Sequence, residues 1–281
     1  MKTIYCLLKE ILFWALALVN EAPCRVCSRP LAFTASENFV HANRHICRDC
    51  LDYLCQPETG RLVLEPDSYK DSCTDSCTSS FAYIALAPYE DLSKDLIALV
   101  KQKAEHRLLC DLAFPLYCLL DKITSDGLAT RGLTAPIRQS YLLIPIPMHK
   151  SKLQKQKQNH AKLIAGHLEH YARTQGVFKR KSLRLQLVEE VLVQIRETKP
   201  QKYLNKQERR LNVQNAFALG KDAAKIKDKD VILIDDVLTS GATMYEALKE
   251  IRKAQPRSIL ICTLARTIYA NHAKESRRAE T

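Results

Sequence analysis

The rhythm of hydrophobic and polar positions changes near residue 80 of this 281-residue chain. Beyond that point short apolar runs alternate with stretches whose apolar residues recur every three to four positions, the pattern of strands and helices in turn. The runs 81–87, 141–146, 183–193, 231–234 and 258–264 read as strands. Between them, Ala161, Ile164, Leu168 and Tyr171 share one helical face, and so do Ala247, Leu248, Ile251 and Ala254. The alternation predicts an α/β domain with a mostly parallel sheet and helices on both faces. Val231-Ile232-Leu233-Ile234 is apolar without a break, so it predicts a central strand covered on both sides. A ligand then belongs beyond its carboxyl end.

The first 80 residues have a different character, with eight of the eleven cysteines and the polar, turn-rich run 71–80 at their end. This divides the chain into a module at 1–80, a domain at 81–270 and a polar tail at 271–281. Cys24-x-x-Cys27 and Cys47-x-x-Cys50 have the spacing of metal ligands. Each pair puts two sulfurs on one side of a tight turn, and two such turns complete a tetrahedron around Zn2+. Metal-ligand spacing in place of a disulfide framework points to a reducing compartment, hence the cytoplasm. His45 is a substitute for one sulfur; Cys55, Cys73 and Cys77 read as loop thiols, with Cys73-x-x-x-Cys77 as a second site the other reading. The apolar stretch 11–19 is only nine residues long, against the roughly 20 needed to span a bilayer. With Lys9 and Glu10 abutting it and no small-x-small cleavage site after it, it predicts an amphipathic helix rather than a membrane span or an export signal.

Charge narrows the choice of partners. The formal net charge is +12, and the segment 149–210 alone holds 16 Lys and Arg against 5 Glu. Such a concentration suits a polyanion, either a phosphorylated ligand or nucleic acid. Lys152, Lys155, Lys157, Arg209 and Arg210 are the nucleic-acid candidates, and a solvated helix face is the plainer reading of each.

Immediately after the predicted central strand comes Asp235-Asp236-Val237-Leu238-Thr239-Ser240-Gly241-Ala242-Thr243, which leads into a helical stretch at 244–254. Amides at a helix N-terminus form a concavity for an anion, and the helix dipole favours negative charge there. Gly241 permits close backbone approach, and the hydroxyls of Thr239, Ser240 and Thr243 donate hydrogen bonds. Two carboxylates repel a phosphate, so Asp235 and Asp236 are expected to face neutral hydroxyls beside it. Neither a Walker-type loop nor a dinucleotide-binding glycine fingerprint is present.

The acidic pair, the Thr/Ser/Gly turn and the apolar strand before them resemble the signature of type I phosphoribosyltransferases. The resemblance implies ribose hydroxyls at Asp235 and Asp236, a 5′-phosphate held by Thr239, Ser240, Gly241, Ala242 and Thr243, and Mg2+ bound with phosphoribosyl diphosphate (PRPP). More of the chain is similar to the ComF family of competence proteins. That similarity rests on the four cysteines, on Leu143-Ile144-Pro145-Ile146-Pro147-Met148-His149, on Thr198-Lys199-Pro200-Gln201 with Glu208-Arg209-Arg210-Leu211-Asn212-Val213-Gln214-Asn215-Ala216-Phe217, and on the phosphate loop. By resemblance the turn containing Pro147, His149 and Lys150 contacts the diphosphate. Where that family shows Arg-Gly-Phe-Asn-Gln, this chain has Gln156-Lys157-Gln158-Asn159-His160 and keeps only the Asn. Lys152, Lys155 and Lys157 are then the replacement cations, as point charges rather than bidentate forks.

The resemblance implies a protein that binds PRPP or a related phosphoribosyl ligand and supports DNA uptake in natural competence. DNA-uptake proteins are further expected partners. Two other readings stand beside it: a single-stranded nucleic-acid binding module without turnover, and a nucleotide-salvage phosphoribosyltransferase. No residue identifies an acceptor nucleobase or a general base, so the sequence leaves turnover open.

Overall fold

The computed structural model describes residues 23–29, 45–64, 79–103, 107–125, 140–175, 183–199 and 205–267. The apolar stretch 11–19, Cys73, Cys77 and the tail 271–281 lie outside the described residues. Two compact units divide at residue 54, one comprising 1–54 and the other 55–281.

In the smaller unit a turn through Arg25, Val26 and Cys27 and the helix α1 (Arg48–Leu54) carry the two cysteine pairs. The larger unit is built on β1 (Glu58–Leu64), β2 (Ser79–Pro88), β3 (Ser140–Pro145), β4 (Arg184–Leu187), β7 (Asp230–Leu238) and β8 (Ser258–Arg266). They form one six-stranded sheet in the order β1-β2-β8-β7-β3-β4. Every pairing is parallel except β1 with β2, which is antiparallel and closes one edge. The composition shift drew a boundary at residue 80; β1, upstream of it, is part of this sheet.

Between β2 and β3 run α2 (Asp91–Lys103) and α3 (Arg107–Ser125). After β3 come α4 (Lys150–Gln156) and α5 (His160–Gln175), and α7 (Ala242–Lys253) joins β7 to β8. The connection from β3 leads outward to β4, and that from β7 leads the opposite way to β8, so right-handed crossovers put α5 and α7 on opposite faces. Val231 and Leu233 cluster with Met244, Ala247, Leu248 and Ile251 of α7. The alternating Ile232 and Ile234 are equally buried and face the α5 side. This is the covering of β7 on both faces that its unbroken apolar run predicts.

The predicted strand at 183–193 is two strands. β4 stops at Leu187, and β5 (Leu192–Gln194) leaves the large sheet to pair with β6 (Phe217–Leu219). Glu189 and Glu190 sit in the turn between them, where two adjacent carboxylates reach solvent and meet Lys162 at 2.6 Å and Lys221. Between β5 and β6 lies α6 (Lys206–Val213), started by a reciprocal cap in which Asn205 Oδ1 accepts from Glu208 N–H and Glu208 Oε2 from Asn205 N–H.

Candidate functional site

The sheet order reverses between β3 and β7, and there the chain places both turns singled out in the sequence. Pro145 pairs with Ile234, and one residue further on Ile146 N–H donates to Ile234 O at 2.9 Å. Past that bond β3 turns away through Pro147. β7 instead continues to Leu238, held by β8 alone, with Asp235 opposite Thr263 and Leu238 opposite Arg266. The acidic pair thus lies within the last part of the strand and not after it. The splaying of β3 opens a crevice at the carboxyl ends, the place where sheets of this kind bind ligands.

Because side chains alternate along a strand, Asp235 and Asp236 face opposite sides. Asp235 follows Val231 and Leu233 toward α7 and the phosphate loop, while Asp236 faces α2 and α5. There Lys101 Nζ of α2 lies 2.7 Å from Asp236 Oδ2, and His160 Nδ1, at the start of α5, lies 3.8 Å from the same oxygen. The Asp236 side chain is 20% exposed and that of Lys101 42%. Burial pushes the Asp236 carboxyl up, but Lys101 and a hydrogen bond to His160 outweigh it and hold it well below the usual carboxylate range. Burial and the neighbouring Asp236 charge push Asp235 up to about 7, against smaller opposing pulls from its hydrogen bond to Asp236 N–H, from Lys101 and from Lys152. Lys101 itself is pushed down by desolvation and raised overall by Asp236. The sequence reading missed Lys101. Its only signal there is its place in the helix after the first parallel strand, which says nothing about a partner 135 residues away in the chain.

The loop after β7 turns tightly into α7. Gly241 is the N-cap of α7 at φ 75°, ψ 0°, a left-handed conformation costly for any residue with a Cβ. A Cβ there would meet Leu62 Cδ1 of β1 at 3.4 Å. The first bond within the helix runs from Tyr245 N–H to Gly241 O, so the preceding amides of the turn emerge at its end. Ser240 Oγ is buried and has no hydrogen-bond partner among the described residues.

On the opposite wall, Asn159 is the residue that ties the proline turn down. Its Nδ2 donates to Ile146 O at 2.9 Å, while its Oδ1 accepts from Lys162 N–H to cap α5. His149 caps α4 through its ring nitrogen, which lies 2.9 Å from Ser151 Oγ, and His149 N–H donates to Gln194 Oε1 at 2.8 Å. Lys150, Lys152, Lys155 and Lys157 are all exposed around α4, and of the three replacement cations Lys152 is the one whose charge reaches Asp235.

Residues 174–280 match the family model for the phosphoribosyl transferase domain. Over that stretch the chain is similar to a phosphoribosyl transferase domain, and the mostly parallel sheet fits that α/β fold. The match takes in β4 through β8 and the phosphate loop, and the proline turn and Lys101 precede it. The chain is also 27% identical over 124 residues to Competence protein F of Haemophilus influenzae, which is 44% of this chain and 49% of that protein. The similarity therefore spans about half of the relative's length. The chain is thus similar to a phosphoribosyl transferase domain over its C-terminal part and to Competence protein F over less than half of its length.

The smaller unit holds a second candidate centre. The sulfurs of Cys24, Cys27, Cys47 and Cys50 all lie within 4.8 Å of one another, and they are the only converging group of three or more metal-ligating side chains among the described residues. Val26 N–H and Cys47 N–H both donate to Cys24 Sγ, at 3.4 and 3.2 Å, and with Cys27 N–H they bring that thiol down to about 7 despite burial. Burial and the neighbouring thiols push Cys50 up. Four soft donors at this spacing, with amides already aimed at one sulfur, can hold a metal ion such as zinc. His45 and Cys55 are not in the group.

The remaining basic candidates lie on α6. Arg210 is exposed and Arg209 partly so. Arg196 and Asn212, two other residues suited by type to an anion, are committed elsewhere: Arg196 donates to Asn212 O and Gln214 O at 2.9 and 2.7 Å, and Asn212 exchanges two hydrogen bonds with the Lys199 backbone. No helix among the described residues is long and apolar enough to cross a membrane.

Proposed function

We propose that the phosphoribosyl transferase domain binds PRPP or a closely related phosphoribosyl ligand in the crevice between β3 and β7. The observation that carries this is the juxtaposition of the two motif turns across one hydrogen bond, Ile146 N–H to Ile234 O. In this reading the emerging amides, Gly241, Ala242 and the hydroxyls of Thr239, Ser240 and Thr243 hold the 5′-phosphate. The unpaired Ser240 Oγ supplies a donor for a ligand oxygen. Asp235 takes a ribose hydroxyl, and Pro147, His149 and Lys150 with Lys152 face the diphosphate.

The Mg2+ expected with PRPP is not held by the acidic pair as a cage. Asp236 is already met by Lys101, and Asp235 points to the other face of the sheet. Should turnover occur, the cations of the proline turn would stabilise a departing diphosphate by electrostatics.

The reading extends to a role in competence through the relative's name, with DNA uptake as the setting. Single-stranded DNA is the second reading, favoured by the exposed lysines around α4 and by Arg210. Isothermal titration of the full chain with PRPP, ribose 5-phosphate and a free nucleobase tests the first. PRPP is expected to bind most tightly and the nucleobase not at all. Equal affinity for PRPP and ribose 5-phosphate would remove the diphosphate contact, and no binding of either would remove the reading.

A further inference from the structure

We infer that Lys101 is the built-in counter-cation of the acidic pair, a positioning residue that keeps divalent metal off Asp236 and makes ribose recognition here independent of metal. Two adjacent carboxylates in a crevice attract a cation from solution unless the chain supplies one. Here it does. Lys101 Nζ sits 2.7 Å from Asp236 Oδ2, and His160 Nδ1 approaches the same oxygen from α5, so one carboxylate oxygen is shared between two helices on one face of the sheet. A metal ion taking that oxygen must displace the ammonium. Lys101 reaches the site from the last turn of α2, and its side chain is partly exposed, so replacing it leaves no cavity in the core.

The arrangement also divides labour within the pair. Asp236 fixes the ends of α2 and α5 against β7, and Asp235, on the phosphate-loop face, is left to meet a sugar hydroxyl. Charge from Lys101 still reaches Asp235, which it helps to ionise.

The test uses the full chain with the thiolate centre filled with Zn2+, and Mn2+ as the probe, followed by electron paramagnetic resonance. Wild type and Lys101→Arg are expected to bind Mn2+ equally weakly. Lys101→Met is expected to bind it at least about tenfold more tightly, since a competing charge at contact distance has gone. The double variant Lys101→Met with Asp236→Asn should lose that gain. An unchanged Mn2+ affinity in Lys101→Met overturns the inference, as does a gain that survives Asp236→Asn.

The second arm, which rests on the ligand reading above, titrates ribose 5-phosphate with EDTA and then with Mg2+. Wild type should bind equally in both, whereas Lys101→Met should bind more weakly in EDTA and recover in part with Mg2+. Wild-type binding that requires Mg2+ overturns the inference. If no variant binds the sugar phosphate while the Mn2+ result holds, the ligand reading fails and the role of Lys101 stands.

Discussion

The cysteine centre and the acidic pair are both clusters of like groups, and the chain answers their charge in opposite ways. Around Cys24 the help is backbone N–H from Val26 and Cys47, and the sulfurs of Cys27 and Cys47 face each other at 3.7 Å. Four thiols so gathered ionise together only around a cation. At Asp236 the cation is Lys101, a side chain of the same fold. Gathering ligand-type residues therefore does not by itself make a metal site. What decides is whether the fold leaves their charge to be met from outside.

The largest test of this contrast removes the external cation. Stripping metal from the protein, or replacing Cys24 with Ser, should unfold the unit 1–54, because structural zinc contributes on the order of 10 kcal/mol to small domains. Amide exchange across residues 45–54 would report it, and a metal-free preparation that keeps its protection would erase the contrast.

Next in size is the loop beside the acidic pair. Gly241→Val forces a β-branched residue to φ 75° and brings a Cβ against Leu62, so it should distort the amide cradle. The added Cβ meets Leu62 of β1 only at contact distance, so the strain lies in the left-handed backbone. Affinity for a phosphoribosyl ligand should fall about tenfold or more, on a left-handed penalty of about 1–2 kcal/mol. Titration calorimetry on a variant shown to be folded measures this.

The two carboxylates should respond to pH with opposite sign. Asp236 is held below its ordinary range, so its contribution is present above about pH 4 and lost as pH falls. Asp235, raised to about 7, keeps its proton where the unfolded chain has lost it, so stability falls as pH climbs from about 4 through 7. Asp236→Asn should therefore destabilise the protein at pH 7, and Asp235→Asn should stabilise it at pH 8. Each change is of the order of 1–3 kcal/mol, since a tenfold change in proton affinity is worth about 1.4 kcal/mol. Urea denaturation at pH 4, 6 and 8 separates them; parallel losses for both variants would show that the pair acts as one.

The smallest expected effect concerns the basic surface. Replacing Arg209 and Arg210 with Ala should lower the salt slope of single-stranded DNA binding by roughly one to two, with little change in stability. An unchanged slope measured by fluorescence anisotropy would make α6 a solvated face.

The alternation of strands and helices, the buried run of β7, the two cysteine pairs and the turn that leads from β7 into α7 were all legible in the amino-acid order. Each is a local pattern whose period, spacing or turn chemistry is written within about 25 residues. That 183–193 breaks into two strands was not legible, since the break depends on which sheet each half can pair with. Nor was it legible that β7 carries Asp235 and Asp236 to opposite faces, that Asn159 anchors the proline turn, or that Lys101 reaches Asp236. Those relations exist only once the chain is folded, because strand order brings β3, β7 and the helix after β2 to one end of the sheet. Electrostatic partnership depends on that distance in space and leaves no mark on spacing along the chain.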